Sequence, residues 1–125
     1  MAKKKTVRVV FIDAFNKRLE EHDIKPELEE YYRLLGCDCI ESFVRTPKGF
    51  DEAAFIYIDE VGGFKDQSRF IVRTEHGNQM LSGNGVLIGE PDEEGEETDC
   101  KWSLEDVRKF IGFEPLAQGF GDGGK

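Results

Sequence analysis

The chain has no apolar run of the length that a bilayer demands. Its longest lies at residues 9–12, against the roughly 20 residues of a spanning helix. No hydrophobic stretch follows Lys3-Lys4-Lys5, so the basic start does not read as a secretion signal, and a soluble intracellular protein is expected. Cysteine is scarce: Cys37, Cys39 and Cys100 are an odd number without scaffold spacing. A disulfide framework is thereby excluded in favour of reduced thiols in a cytoplasmic setting. Bases are outnumbered, 17 Lys and Arg against 26 Asp and Glu, for a net charge of −9. Binding to phosphate backbones relies on Lys and Arg, so an extended duplex-binding surface is not expected. No G-x-x-x-x-G-K-[ST] pattern occurs, which excludes a nucleotide P-loop.

What is present suffices for one domain. At 125 residues a compact chain has a radius of gyration of roughly 14 Å. It buries about two thirds of its unfolded surface and needs neither disulfide nor metal. Ten Phe, with the aliphatic residues, supply the core. The acids are unevenly spread. Residues 90–99 hold Glu90, Asp92, Glu93, Glu94, Glu96, Glu97 and Asp99 with no base, and residues 19–30 hold six more acids with only Lys25 against them. Such runs form solvated surface, or an electronegative face that meets a basic partner or imitates nucleic acid.

The expected organisation is a frayed arm over 1–5, a single α+β domain over 6–113 and a Gly-rich disordered tail over 114–125. The centre is Gly83-Asn84-Gly85-Val86-Leu87-Ile88-Gly89, a short apolar run between glycines that reads as a buried strand. Residues 6–13 are apolar on both faces and belong near the middle of a sheet. Residues 15–24 are mixed, equally a short strand or an irregular return. After Pro26, the spacing of Leu28, Tyr31, Tyr32 and Leu35 predicts a helix, with acids in its first turns, a Glu29–Arg33 pair and a stop at Gly36. Residues 37–45 and 52–59 read as an antiparallel hairpin, 69–73 as a short strand, and 76–79 as a loop. Trp102 and Ser103 open a second helix as staple and cap, with Val107 as the other staple position, and Gly112 is expected to end it. The fold class is α+β: a mixed or mainly antiparallel sheet of about five strands, with helices on one face.

Val9-Val10-Phe11-Ile12-Asp13, Leu34-Leu35-Gly36-Cys37-Asp38-Cys39-Ile40-Glu41, Ala54-Phe55-Ile56-Tyr57-Ile58-Asp59-Glu60 and the stretch from Leu81 to Gly89 together resemble the family called domain of unknown function 3846. The likeness spans residues 6–113. The chain departs from the family at Cys37, where a second glycine is usual, and in a longer insertion over 61–68. The resemblance implies a compact α+β domain with no established activity. It also implies an accessory role in a phage, prophage or plasmid, hence a bacterial host cytoplasm.

Each residue type able to carry chemistry has a plainer reading beside it. Asp13 and Asp59 close apolar strands; with a third acid such as Glu90 they would make an oxygen-ligand Mg²⁺ site, and otherwise they terminate strands in water. Cys37, Cys39 and Cys100 with His22 or His76 would give four zinc ligands, but an i, i+2 cysteine pair lacks the usual knuckle spacing, and packing as small hydrophobes is preferred. No metal, cofactor or catalytic residue is assigned. Tyr31, Tyr32 and Phe55 read as core, because base stacking is normally joined to a basic groove. The most site-like loop joins His76, Asn78, Gln79 and Asn84, neutral donors and acceptors set among glycines, although turn chemistry alone explains them.

The leading expectation is a non-enzymatic interaction module that meets a basic host protein through Glu90, Asp92, Glu93, Glu94, Glu96 and Glu97. The alternative is a small-molecule, nucleotide-like binder or sponge using residues 76–85. An acidic DNA mimic fits less well, because two clusters on a compact domain do not rank carboxylates along an elongated surface.

Overall fold

The computed structural model describes residues 6–62 and 68–113. The expected arm, the Gly-rich tail and most of the 61–68 insertion lie outside the described residues. Eight strands and two helices run in the order β1 (Val7–Asp13), β2 (Arg18–Ile24), α1 (Leu28–Leu35), β3 (Ile40–Arg45), β4 (Ala54–Asp59), β5 (Arg69–Thr74), β6 (Gly77–Ser82), β7 (Gly85–Ile88), α2 (Leu104–Phe110) and β8 (Ile111–Phe113). The class is α+β as expected, but the strands form two sheets, one of five in the order β2-β1-β7-β4-β3 and one of three in the order β6-β5-β8. Every pairing is antiparallel.

The glycine-flanked run does occupy the middle. All four residues of β7 are buried, between β1 on one side and β4 on the other. Because β1, β4 and β7 are apolar on both faces, each face of the large sheet needs its own cover. On one face Val7, Val9, Val86 and Ile88 meet Tyr31 and Leu35 of α1. On the other Val10, Ile12, Ile56 and Leu87 meet Phe70 and Val72 of β5, together with Trp102, Val107 and Phe110 around α2. The helices therefore lie on opposite faces, not on one. The second sheet supplies the cover that the second helix, seven residues long, is too short to give alone.

Two segments account for the extra sheet. Residues 77–79, expected in a loop, begin β6: only Glu75 and His76 separate its first residue from Thr74, its partner at the end of β5. Gly, Asn and Gln are poor strand formers, and here the β5 ladder overrides propensity. At the other end, α2 stops at Phe110 before the expected Gly112. Ile111 is already extended at φ −108°, ψ 127°, and β8 aligns Ile111 with Val72 and Phe113 with Phe70. Phe110 and Ile111 are both buried, the first on the helix beside Val107 and the second on the strand paired with β5. Residues 18–24, left open between strand and return, are a strand along the full length of β1.

The helices otherwise follow the sequence. Gly36 caps α1 in the left-handed region at φ 67°. Tyr31 and Leu35 are buried, whereas Leu28 stays 53% exposed, and Arg33 pairs with Glu30 at 2.7 Å instead of Glu29. Ser103 caps α2 by accepting from the Asp106 N–H at 3.1 Å. Trp102 and Val107 enter the same cluster, as the staple predicts. Among the described residues no helix is long and apolar enough to cross a membrane.

Candidate interaction face

The acid-rich segments at 19–30 and 90–99 are far apart in sequence, and Arg8 and Tyr31 draw them together. Strand β7 pairs with β1 only from Val10 onward. The inner edge of residues 7–9 is therefore open, and the returning acidic segment fills it. The Arg8 N–H donates to Asp99 Oδ1 at 2.9 Å, and the Cys100 N–H donates to the Arg8 carbonyl at 2.8 Å. The Arg8 side chain lies on the same side of β1 as Val10 and reaches further. Nη1 donates to the carbonyls of Cys100 at 2.6 Å and Trp102 at 2.9 Å, and Nη2 to Glu21 Oε2 of β2 at 2.8 Å. Burial disfavours its charge, but the Glu21 carboxylate and the surrounding acceptors outweigh that and hold the guanidinium above its ordinary value.

The second pin comes from the other face. The Tyr31 hydroxyl of α1 donates to Glu97 Oε1 at 2.8 Å, and the Tyr31 ring stands edge-on to Tyr57 with centroids 4.8 Å apart. Burial first, and then the Glu97 carboxylate, pushes the Tyr31 phenol far above its usual range. Tyr57 is raised by burial and by the same carboxylate. Both phenols stay protonated at neutral pH, so Tyr31 remains a donor to Glu97.

Ahead of the pinned residues the acidic segment is an ordered turn. Asp92 folds inward, its Oδ1 accepting from the N–H groups of Glu94 at 2.9 Å and Glu96 at 2.8 Å. Thr98 Oγ1 closes the base by donating to the Glu90 carbonyl at 2.7 Å. The base sits directly on Gly89. A Cβ there would lie 2.3 Å from the Asp99 carbonyl oxygen and 2.5 Å from Thr98 Oγ1, so only a residue without a side chain lets the turn return this closely. Of the six acids expected to form the surface, Glu90, Glu93, Glu94 and Glu96 are exposed. Asp92 is exposed too but structures the turn, and Glu97 is half-buried against Tyr31. In the other acid-rich segment Glu20 is shared between Arg18 and His22, and Asp23, Glu27 and Glu29 are exposed.

The residues expected to bind a small ligand are spread along β6 and past both of its ends. His76 is exposed at the β5–β6 turn, on a hollow of 280 Å³ that also touches Arg45, Thr46 and Thr74. Asn78 and Gln79 are exposed along β6. Asn84 lies past the far end of that strand, its Oδ1 accepting from the Ala14 N–H at 2.8 Å.

Asp13 and Asp59 do come to one end of the sheet, since Ile12 and Ile58 both align with Gly85. One strand separates them, which places their backbones roughly 10 Å apart. Each is buried and caps its own turn, Asp13 by accepting from the Asn16 N–H at 3.1 Å and Asp59 from the Val61 N–H at 3.0 Å. Glu90, considered as the third ligand, follows β7 at the opposite end. Among the described residues no group of three or more His, Cys, Asp or Glu is placed to hold a metal ion. Cys37 donates from Sγ to the Cys39 carbonyl at 3.3 Å, and Cys100 is buried, its thiol pushed up by that burial.

Sequence reasoning overlooked Arg8 and Tyr31 as the organisers. The available signal was a lone base in an otherwise apolar strand, Val7-Arg8-Val9-Val10. A charge on a buried strand calls for acceptors nearby.

A family model described as a domain of unknown function, DUF3846, matches residues 7–111. The curated proteins and the solved structures give no match. The chain belongs to the DUF3846 family.

Proposed function

We propose that this DUF3846 member is a non-enzymatic interaction module of a mobile genetic element, and that it takes a basic surface of a host protein on its acidic face. The observation that supports this reading is the joining of the two acid-rich segments. Arg8 holds Glu21 and Asp99, and Tyr31 holds Glu97, so carboxylates scattered along the chain become one preorganised field. A field of one sign steers an oppositely charged partner and raises its association rate. Preorganisation matters because a turn already ordered has less freedom to lose on binding. The exposed Glu93, Glu94 and Glu96 are the contacts; Asp92 and Glu97 are the frame.

The test is capture of host protein on the immobilised chain, at low salt and at about 1 M, where the Debye length falls to roughly 3 Å. It is run beside a variant carrying Glu93→Gln, Glu94→Gln and Glu96→Gln. The expected result is one partner with a basic surface, retained at low salt, released at high salt and absent from the variant. A partner held equally by the variant, or none at low salt, contradicts the reading.

A further inference from the structure

Four described strands lie at sheet edges, β2 and β3 in the large sheet and β6 and β8 in the small one. An edge offers unpaired N–H and C=O groups to any other chain, and natural proteins blunt it with charge, proline, bulges or brevity. Three of these edges are blunted. Strand β2 carries Arg18, Glu20, Glu21 and Asp23. Strand β3 carries Glu41 and Arg45, with the Arg45 guanidinium 5.1 Å from the Phe43 ring centroid. Strand β8 has three residues. Strand β6 has six, Gly77-Asn78-Gln79-Met80-Leu81-Ser82, with neither charge nor proline. Its first four residues are exposed, including Met80 at 47%. In a chain that is 34% charged, no charged residue occurs between Gly77 and Gly89.

We infer that β6 is a pairing edge for a second copy of this chain, joined antiparallel about a two-fold axis at Met80. The edge suits a second copy because it meets itself without like charge. Two molecules of net charge −9 repel wherever their acids face, and β6 brings backbone to backbone with no carboxylate on either strand. The register follows from the pleat. A two-fold axis normal to the sheet keeps the outer faces together only when some residue lies opposite itself. Met80 pairs with Ile71 of β5, so centring on Met80 sets Ile71, Met80, Met80 and Ile71 in one apolar row across the joined sheet. Asn78 then faces Ser82, and Gln79 faces Leu81. Arg73 pairs with Asn78 and Arg69 with Ser82, so the arginines stand one strand away from the junction, at opposite ends of each row. The result is a continuous sheet in the order β8-β5-β6-β6-β5-β8. With one strand a side the contact is small, which places it among weak, concentration-dependent interfaces.

Sedimentation equilibrium over a wide concentration range reads the association. The wild type is expected to pass from monomer to dimer at micromolar concentration or above. Met80→Lys sets two ammonium groups face to face, and should stay monomeric with an unchanged circular dichroism spectrum. In a Cys37→Ser, Cys39→Ser background, Met80→Cys should cross-link to itself on oxidation, because directly opposed Cβ atoms stand about 4.5–5.5 Å apart. Asn78→Cys in the same background should not. A wild type that is monomeric throughout, a Met80→Lys dimer, or equal cross-linking at both positions would overturn the inference. So would a monomer whose β6 takes up only an extended foreign peptide. The variant with Glu93, Glu94 and Glu96 changed to Gln should dimerise like the wild type, which separates this inference from the reading of the acidic face.

Discussion

Replacing Gly89 by alanine adds one methyl group where the acidic turn closes on the sheet. The position has no left-handed φ, so alanine meets no backbone penalty, and the whole cost is steric. The nearest backbone atoms are the carbonyl oxygens of Asp99 at 2.3 Å and Thr98 at 2.6 Å. Backbone cannot rotate aside as a flexible side chain does, so residues 98–99 must retreat. Overpacking of this kind costs about 1–3 kcal/mol. The retreat also loosens the Thr98–Glu90 and Arg8–Asp99 hydrogen bonds, each worth ~1 kcal/mol. Lower chain entropy in the unfolded state returns about 0.4–1 kcal/mol. The net destabilisation is about 2–4 kcal/mol, which lowers Tm by roughly 10–15 °C for a domain of this length. Urea unfolding should show a lower midpoint at an unchanged slope, and the Arg8 amide should lose its protection from hydrogen exchange. A Gly89→Ala protein within about 0.5 kcal/mol of the wild type, a change ordinary for surface sites, with the Arg8 amide still protected, would refute the placement of the turn.

Arg8→Met keeps the stem but leaves the Cys100 and Trp102 carbonyls without their donor, and should cost about 2–4 kcal/mol in urea unfolding. Tyr31→Phe removes the donor to Glu97 and should cost about 1–2 kcal/mol at neutral pH. Its pH signature has a definite sign. The folded Tyr31 pKa lies above the unfolded value of about 10, so above that pH the unfolded state binds fewer protons. Stability from this group is whole below about pH 10 and falls as pH rises beyond it, by at most about 1.4 kcal/mol per pH unit. Tyr31→Phe should flatten that alkaline fall, measured by unfolding between pH 9 and 11 (roughly the interval spanning the free phenol's pKa). Of the three thiols, Cys39 is exposed and Cys100 buried; a thiol reagent should label Cys39 at once and Cys100 only on unfolding.

The middle of the fold was legible because its residues carry unambiguous chemistry. Val86-Leu87-Ile88 between glycines reads as a short buried strand, and residues 6–13, apolar on both sides, as a strand near the middle of a sheet. Helix ends were equally plain where capping is local, at Gly36 and Ser103. The small sheet was hidden because its strands owe their form to partners. Gly77-Asn78-Gln79 reads as a turn until β5 is set beside it, and Ile111-Gly112-Phe113 reads as a helix end for the same reason. That hidden sheet also explains the misplaced helix, since one face seemed to need no cover that two helices could not give. The acids were legible as two runs and not as one face. Their joining rests on Arg8 and Tyr31, which reach Asp99 and Glu97 across most of the fold, beyond the reach of any periodicity.

The claim that both acidic runs act as one face is met most directly by affinity for the captured basic partner as a function of salt. Three proteins suffice: the wild type, the loop variant with Glu93, Glu94 and Glu96 as Gln, and a strand-and-helix variant with Asp23, Glu27 and Glu29 neutralised in the same way. The account predicts that each variant weakens binding and reduces the salt dependence, although the two sets are separated by about half of the chain. Full affinity in the strand-and-helix variant, with the same response to salt as the wild type, would contradict it.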